Sequence, residues 1–426
     1  MRNRTTTGGG KWNPAICCAL IGGALGIGLS ACGGHFDPSE PADETGAPAT
    51  VELHGRMFLR RDMWSDAAFR QVLEDARPDR PFSPEAYAAQ LRAFTLHHGV
   101  FYIEQEPNLA LAKRIIEGQP THETQTEPPS DETGSANTGG IPIATVIGSD
   151  NRAIVDAHTS PYSAVAFNNS RGSGFRISPH ALLTAAHVVY DTGTNQFFCA
   201  NESESSNCGS NPGYPKWIFG LNGTSGSSPW LGIDCYDVTV PAAYAAFSAT
   251  DNGSVSAIYS VARYDFAAFG LGSQTCTNTG NTSAYFAVSQ TLPSTAYISA
   301  GYAEWAKCLN DEFGASQATC TGGTWQLNGQ PGQAPYNSAH LWVELNVPNV
   351  AAGAQLPAYT VQDKGDITHG DSGGPLYYIN SSGKATVVGT CARNLNSGFG
   401  GQDLNIYSRW TSETDQFFFD NTPYPG

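Results

Sequence analysis

The stretch THGDSGGPLYY, Thr368 to Tyr378, places Ser372 between Asp371 and a pair of glycines, directly before an apolar run that predicts a strand. Glycines beside a serine let the backbone turn sharply and point main-chain N–H groups at one spot. A nucleophilic serine needs this geometry, because the carbonyl that it attacks becomes an oxyanion that such N–H groups stabilise. Ser372 is therefore either a nucleophile or a polar residue in a tight turn. A general base and an orienting acid elsewhere in the sequence would distinguish the two.

The position of the general base limits the choice of fold. GDSGG, Gly370 to Gly374, also fits the G-x-S-x-G elbow of α/β-hydrolases, in which the acid and the histidine follow the serine. A serine hydroxyl needs a base at neutral pH, and histidine is the usual one because its pKa lies near that pH. No histidine follows His369. The α/β-hydrolase order is excluded unless His369 itself serves, and we expect the base upstream.

A histidine upstream has a suitable setting. In LLTAAHVV, Leu182 to Val189, His187 follows an apolar run and a turn of small residues, whereas His180, beside a proline, is expected at the surface. LLTAAHVV together with GDSGGP resembles trypsin-like serine proteases. The resemblance implies that His187 is the general base for Ser372 and that the N–H groups of Gly370 and Ser372 form the oxyanion hole.

The acid of such a triad must be buried, because it holds the imidazole in one tautomer. SVARYDFAAFGLG, Ser260 to Gly272, offers Asp265 among aromatic and small apolar residues. Asp234 and Asp237 have less apolar surroundings and are the alternatives; they otherwise form a pair of carboxylates in a solvated loop. Histidine, aspartate and serine in this order are typical of the chymotrypsin fold and exclude the order of subtilisin.

A closer resemblance appears in TVIGSDNRAIVDAHTSPYSAVAFN, Thr145 to Asn168, which is similar to the mature N-terminus of the bacterial glutamyl endopeptidase branch of trypsin-like proteases. The similarity extends over most of residues 145–410, is strong at four short stretches and is weak between them. It implies an all-β, chymotrypsin-like fold of two packed antiparallel β-barrels.

The same family resemblance implies that the protein is made as a zymogen. In trypsin-like proteases a newly cut N-terminus inserts into the domain, and its ammonium pairs with the aspartate just before the nucleophile, which here is Asp371. The resemblance makes Val146 the expected new terminus, with Ile141 as the second choice. A cut at either place is expected to free the catalytic domain from everything upstream.

The residue preference at the scissile bond has two interpretations. The glutamyl endopeptidase branch binds a substrate glutamate with a histidine in the strand after the serine, but VVGTCARN, Val387 to Asn394, contains none. Asp366 stands where trypsins place the aspartate that binds a substrate Arg or Lys, or else it is an exposed loop carboxylate. Arg393 would alternatively receive an acidic side chain.

The first residues predict export. Basic residues precede the apolar run Ala15 to Ala31, which is short for a membrane span but typical of a signal peptide. LSAC, Leu29 to Cys32, resembles the lipobox of bacterial lipoproteins, in which the signal is cut before a cysteine that receives lipid. The resemblance implies a signal peptide over residues 1–31 and a lipid on Cys32 that anchors the protein at the outer membrane or cell surface. An ordinary secretory signal or an uncleaved anchor is the alternative.

Composition divides the remainder into four regions. Residues 32–61 begin with a stretch rich in proline, glycine and acid, which predicts a tether. Residues 62–118 predict a small helical pro-segment of two or three helices, with Ser83 as an N-cap and Pro84 at the first helical position. Residues 119–140 predict a flexible linker. Residues 141–426 carry short Val-, Tyr- and Thr-rich runs broken by turn residues, which predicts the all-β protease domain.

Charge and cysteine content exclude several partners. The net charge of −16 and the lack of a basic cluster beyond the extreme N-terminus argue against a nucleic-acid partner. No cysteine or histidine spacing suggests zinc, and neither a metal nor a cofactor is expected. In an exported protein, disulfides are expected to close short loops between Cys199 and Cys208 and between Cys308 and Cys320. At least one of the remaining three must then stay free or pair between chains: Cys235, Cys276 and Cys391.

Together these features predict an exported serine endopeptidase that acts on protein or peptide substrates through an acyl-enzyme intermediate. A catalytically silent binding or adhesion module on a protease scaffold is the first alternative, because fold does not fix function. A membrane-attached quality-control protease is the second, but the stretch after Ser372 is too short for a peptide-binding domain.

Overall fold

The computed structural model describes the chain from Ala47 to Thr422, with gaps. The predicted linker and signal peptide lie outside the described residues. All described residues belong to one compact unit, Ser39–Gly426. They are residues 47–118, 153–168, 172–179, 181–198, 216–221, 232–234, 237–248, 255–270, 284–302, 318–321, 324–327, 330–331, 341–365, 367, 370–395 and 404–422.

Residues 47–118, called the N-terminal segment below, contain three helices and two hairpins. The elements are β1 (Thr50–Leu53), β2 (Arg56–Arg60), α1 (Asp66–Asp75), α2 (Pro84–Gln90), β3 (Ala93–His97), β4 (Val100–Glu104) and α3 (Leu109–Ile116). Ser83 caps α2, since its side chain accepts a hydrogen bond of 3.1 Å from Ala86 N, and Pro84 occupies the first turn. The predicted helices of this region, and Ser83 as an N-cap, are confirmed.

The strands of the N-terminal segment differ from the prediction. Residues 62–118 are predicted to be helical, but the helix that begins after Ser83 ends at Gln90 and the chain extends into β3. His98 and Gly99 have φ values of +47° and +78° and turn the chain tightly into β4. The aromatic and β-branched residues of β3 and β4 favour extended pairing once a partner strand is present. Residues 32–61, which are predicted to be a tether, also contain β1 and β2.

The main region, residues 153–422, begins with short strands and two helices. They are β5 (Ala153–Ile154), β6 (Val165–Asn168), β7 (Gly172–Ser178), β8 (Ala181–Thr184), β9 (Tyr190–Asp191), β10 (Gln196–Phe197), β11 (Lys216–Phe219), β12 (Gly232–Asp234), β13 (Asp237–Pro241), α4 (Ala242–Ser248), α5 (Val255–Tyr264) and β14 (Ala267–Gly270).

The main region continues with strands and ends in a helix. They are β15 (Ala287–Val288), β16 (Ile298–Gly301), β17 (Ala318–Thr321), β18 (Thr324–Leu327), β19 (Gln330–Pro331), β20 (Trp342–Leu345), β21 (Ala351–Ala352), β22 (Thr360–Asp363), β23 (Pro375–Ile379), β24 (Ala385–Leu395), β25 (Leu404–Arg409) and α6 (Ser412–Asn421). Among the residues that the structure describes, short 3₁₀ helices occur at Arg61–Met63, Tyr162–Ala164 and Ala186–Val188.

Most strands fall into two large sheets. The first is antiparallel and has the order β1-β2-β4-β3-β13-β14-β8-β7-β6-β11-β12. The second has the order β21-β22-β25-β24-β23-β16-β20-β5, with β15 added in parallel to β24. Two small sheets join β9 to β10 and β17 to β18 and β19. Among the described strand pairs, both large sheets are open paths.

Aromatic side chains join the two large sheets in one core. Phe175 of β7 lies 5.7 Å from Phe286, ring centre to ring centre, and Phe286 lies 5.0 Å from Tyr377 of β23. All three are buried in the same hydrophobic cluster. The predicted all-β fold class is therefore confirmed, and the two large sheets stand where two packed antiparallel β-barrels were predicted, although neither closes into a barrel among the described strand pairs. None of the helices in the described part of the chain is long and apolar enough to cross a bilayer.

Four aromatic rings link the N-terminal segment to the main region. Phe101 of β4 lies 6.1 Å from Tyr190 and 5.1 Å from Phe197, and Phe94 of β3 lies 6.3 Å from Tyr190. Tyr190 and Phe197 are themselves 5.1 Å apart. All four are buried, and aromatic pairs at these distances add to the stabilisation that burial provides. The N-terminal segment thus shares the hydrophobic core of the main region.

Candidate active site

The three residues predicted to form a triad come from both large sheets. His187 lies in the 3₁₀ helix that follows β8, and Asp265 lies between α5 and β14. Because β8 and β14 are neighbours, with Thr184 opposite Ala267, the two residues sit side by side. Ser372 lies in the turn before β23 of the second sheet.

Both carboxylate oxygens of Asp265 accept hydrogen bonds from His187. Oδ1 accepts from the backbone N–H of His187 at 3.0 Å, and Oδ2 lies 2.8 Å from Nδ1. An ionised carboxylate only accepts hydrogen bonds, so the ring donates through Nδ1–H and Nε2 is left as an acceptor. Asp265 is 0% exposed and the His187 side chain is 30% exposed. The histidine is fixed on one edge and open on the other, as a general base requires.

The turn that carries Ser372 has a glycine in the left-handed region on each side of the serine. Gly370 has φ +98° and Gly373 has φ +83°, values that L side chains rarely adopt. Gly373 N donates a hydrogen bond of 2.8 Å to Cys391 O, which ties the turn to β24. Ser372 is half-buried. The predicted oxyanion donors, the N–H groups of Gly370 and Ser372, belong to this turn.

Ser173, which the sequence analysis did not identify, holds the turn in place. Its backbone N–H donates to Ser372 O and its hydroxyl donates to Gly370 O, both at 2.7 Å, and the hydroxyl accepts from Tyr302 N at 2.7 Å. Ser173 is fully buried in β7. Its sequence signal is the pair of glycines that flank it, Gly172 and Gly174, since glycine inside a strand often marks a close backbone approach.

Close backbone contacts bring the Ser372 turn against the chain that carries His187. A Cβ atom built on Gly172 would lie 2.6 Å from Ser372 O and 2.7 Å from Val188 Cγ2. A Cβ atom built on Gly373 would lie 2.1 Å from Thr184 Oγ1 and 2.9 Å from Ala185 N. The nucleophile candidate therefore packs beside residues 184–188, where the histidine stands.

Burial keeps two protonated groups near the site, the Cys391 thiol and the Tyr244 hydroxyl, neutral. Asp371 is 6% exposed and lines a small cavity together with Gly301, Trp342 and Cys391. Cys391 is a free, buried thiol. Burial, and then the carboxylate of Asp371, raise the pKa of the Cys391 thiol well above its ordinary value, so it carries no charge beside the turn. In the same way burial, followed by the Asp265 carboxylate, raises the pKa of Tyr244.

One alternative acid has another partner. Asp237 Oδ1 lies 2.5 Å from His97 Nδ1, at the pair that ends the contact between β3 and β13. Asp234 closes β12 at the far end of the first sheet. In the described contacts, the Asp265 carboxylate thus pairs with His187, and the Asp237 carboxylate pairs with His97 of the N-terminal segment.

Other predicted site residues lie outside the described part of the chain. This applies to Asp366, Val146 and Ile141, to His180 and His369, and to Cys32. Arg393 lies at an irregular position of β24, where the pairing with β25 shifts between Cys391 and Arg393. No cluster of three or more potential metal ligands is found among the described residues.

Comparisons with known proteins give weak structural likenesses. No protein-family model matches the chain, and no curated protein matches it. It is similar to a solved Glu endopeptidase in complex with MPD, at 19% identity and a TM-score of 0.41, over 65% of this chain and 98% of that one. It is also similar to the protease Anisep from Arthrobacter nicotinovorans, at 15% identity and a TM-score of 0.36, over 60% of this chain and 93% of that one.

We expect Gly373→Ala to be far more damaging than Gly383→Ala. The two glycines have nearly equal φ values, +83° and +82°, but a Cβ atom on Gly383 meets nothing within 4 Å, whereas one on Gly373 collides with Thr184 and Ser173. Backbone strain alone costs about 1–2 kcal/mol, and the collisions add about 1–3 kcal/mol at Gly373. Urea unfolding of both variants measures the difference. Equal losses would show that the turn is not packed as described.

Proposed function

We propose that the protein is a serine endopeptidase that hydrolyses peptide bonds through Ser372, His187 and Asp265. The single observation that carries this proposal is the hydrogen-bonded pair of His187 and the fully buried Asp265, with the Ser372 turn packed beside it. A buried carboxylate on Nδ1 fixes the tautomer that leaves Nε2 basic, which is what activation of a serine hydroxyl needs. Family resemblance in the sequence supports the same assignment.

The proposed reaction follows from these positions. Ser372 Oγ attacks the substrate carbonyl carbon while its proton passes to His187 Nε2, and the N–H groups of Gly370 and Ser372 donate to the oxyanion. Collapse of the tetrahedral intermediate breaks the C–N bond as the imidazolium returns its proton to the amine. Water then attacks the acyl carbon and gives a proton to His187. Collapse of the second tetrahedral intermediate breaks the bond between that carbon and Ser372 Oγ, as the imidazolium returns the proton to Oγ and the free acid leaves. Asp265 stabilises the imidazolium in both halves.

The proposed substrates are proteins or peptides, with the side-chain preference set beside the Ser372 turn. Asp366 would favour a basic residue before the scissile bond, and Arg393 an acidic one. The alternative function, a catalytically silent binding or adhesion module, has the same fold and differs by having no turnover. A fluorophosphonate probe separates the two functions, because it reacts only with an activated serine.

We predict that Ser372→Ala and His187→Ala lose nearly all turnover and that Asp265→Asn lowers kcat about 10⁴-fold, because an asparagine holds the wrong tautomer. Asp237→Asn is the matched control, since Asp237 also contacts a histidine, and it should keep near-normal turnover. Cleavage of a mixed peptide library and probe labelling provide the measurements, with circular dichroism to check folding. Near-normal turnover in any of the first three variants would show that residue to be misassigned. A folded wild-type protein that neither cleaves nor reacts would favour the silent module.

We also propose that the protein is exported and anchored to a bacterial membrane by a lipid on Cys32. Acyl chains would supply apolar surface for membrane binding. The wild-type protein should take up a labelled fatty acid and partition into detergent, and Cys32→Ser should do neither. Equal membrane recovery of the variant and the wild type would argue for a different anchor.

Activation by a new N-terminus at Val146 remains a proposal that involves Asp371. Residues that follow this position support it, because Ile154 of β5 pairs opposite Trp342, and Trp342 lines the cavity at Asp371. An ammonium and a carboxylate are tolerated in such surroundings only as a pair. N-terminal sequencing of active protein should find a terminus at residues 141–147, and blocking the cut should abolish turnover. Full turnover by uncut protein would contradict this mechanism.

A further inference from the structure

The N-terminal segment is joined to the main region by a shared strand pair. β3 pairs with β13 through five residues, from Ala93 opposite Pro241 to His97 opposite Asp237. On its other side β13 pairs with β14, the strand that directly follows Asp265. The segment therefore continues the hydrogen-bond ladder of the main region, and without it β13 would present an unpaired edge.

Buried apolar side chains of both regions form one hydrophobic cluster across this boundary. The rings of Phe94 and Phe101 pack on Tyr190 and Phe197, and all four are buried. Tyr190 is three residues beyond His187, so the contact supports the chain just after the histidine. Removal of the segment would expose these rings to water, at a cost proportional to the apolar area uncovered.

The N-terminal segment supplies one hydrogen-bond donor to a buried carboxylate of the main region. Glu413 of α6 is 2% exposed and accepts hydrogen bonds from Arg263 and, at 2.5 Å, from the hydroxyl of Tyr87 in α2. Nearby, the hydroxyl of Tyr264 donates to Gln90 Oε1 at 2.8 Å. A buried carboxylate must keep its partners, because an unsatisfied charge inside a protein is strongly destabilising. Tyr87 and Gln90 of the segment thus satisfy hydrogen-bonding groups of the main region.

Further polar contacts lie along the strand seam and at the C-terminal helix. Arg56 Nη2 donates to Asp420 O at 2.9 Å and to Asn421 Oδ1 at 2.5 Å. The hydroxyls of Thr95 and Thr239 lie 3.0 Å apart across β3 and β13. These contacts involve β2, β3 and α2 of the segment, and β13, α5 and α6 of the main region.

From these contacts we propose that the N-terminal segment is a permanent part of the mature protein, and that it stays bound without a covalent link when the chain is cut between Gly118 and Ala153. The cut product is then a two-chain protein rather than a free main region. It also remains attached to whatever precedes Ala47, so cleavage at residues 141–147 would not release the main region from an anchor at Cys32. This differs from the release expected from the sequence.

The segment also positions the proposed active site. β13 joins it to β14 and β8, whose ends carry Asp265 and His187, and the aromatic cluster holds Tyr190 behind the histidine. This second consequence rests on the proposed function. The association itself does not, so the two are tested separately.

The test of association uses the full-length chain with Ser372→Ala, so that no activity of its own is involved. A recognition sequence for a site-specific protease is inserted into residues 119–140, the chain is cut to completion, and the product is analysed by size exclusion without denaturant. Both fragments should elute together at the position of the uncut protein and separate only in urea. Elution of residues up to the cut as a separate small species, whether the remainder stays soluble or precipitates, would overturn the proposal.

A matched pair of variants tests whether the described contacts hold the two chains together. Tyr87 and Tyr102 are both buried, but the Tyr102 hydroxyl donates within the segment, to Pro48 O, whereas that of Tyr87 donates to Glu413. Loss of a hydrogen bond to a charged group should raise the dissociation rate of the labelled N-terminal chain about tenfold in Tyr87→Phe. Tyr102→Phe should change it less than about twofold. Equal rates in the two variants would show that the assigned interface is wrong.

Turnover of the cut protein with Ser372 intact tests the positioning role. In protein that has been cut at residues 141–147, removal of the N-terminal chain in mild urea should abolish turnover even after the urea is removed. Return of turnover when the purified N-terminal chain is added back would confirm the role. Full turnover by a main region that lacks the segment would overturn the positioning role. No turnover by protein that is cut at residues 141–147 and still holds the segment would count against the proposed function only.

Discussion

The site depends on the pair of hydrogen bonds between the Asp265 carboxylate and His187. The carboxylate has no contact with water, and both of its oxygens are used on a single residue, one on the backbone and one on the ring of His187. A buried charge with this geometry fixes where the histidine stands and which nitrogen is free. The first sheet sets the positions of both residues, because the pairing of β14 with β8 places Asp265 beside His187.

The second sheet contributes the turn with Ser372, and small residues make the junction possible. Gly172 and Gly373 allow backbone to approach backbone at distances that no side chain would permit. Ser173 then replaces part of the missing side-chain packing with hydrogen bonds to Ser372 and Gly370. The two sheets are therefore held at the site by main-chain contacts and by the buried hydroxyl of Ser173.

Local sequence patterns predicted the elements that depend on near neighbours. Residues adjacent in sequence are enough to predict the tight turn at Ser372, the helix cap at Ser83 and the apolar surroundings of Asp265. The strand β3 was missed although its hairpin partner β4 is close in sequence, because its second partner, β13, lies 140 positions further along the chain and nothing in Ala93–His97 reveals it. Ser173 was missed for the same reason, since its role depends on a turn nearly two hundred positions away. Asp237 was weighed as a catalytic acid, and only the fold shows that His97 is its neighbour.

The pairing of β3 with β13 also has a consequence for how the chain folds. Closing a loop of this length is slow, because its entropy is lost before the strand contacts form. Until then β13 is a bare edge next to the strand that leads to Asp265, and such edges invite pairing between molecules. Since the N-terminal segment is synthesised first, it is already present when β13 emerges. By pairing with β13, the segment covers this edge and opposes aggregation while the chain is being synthesised.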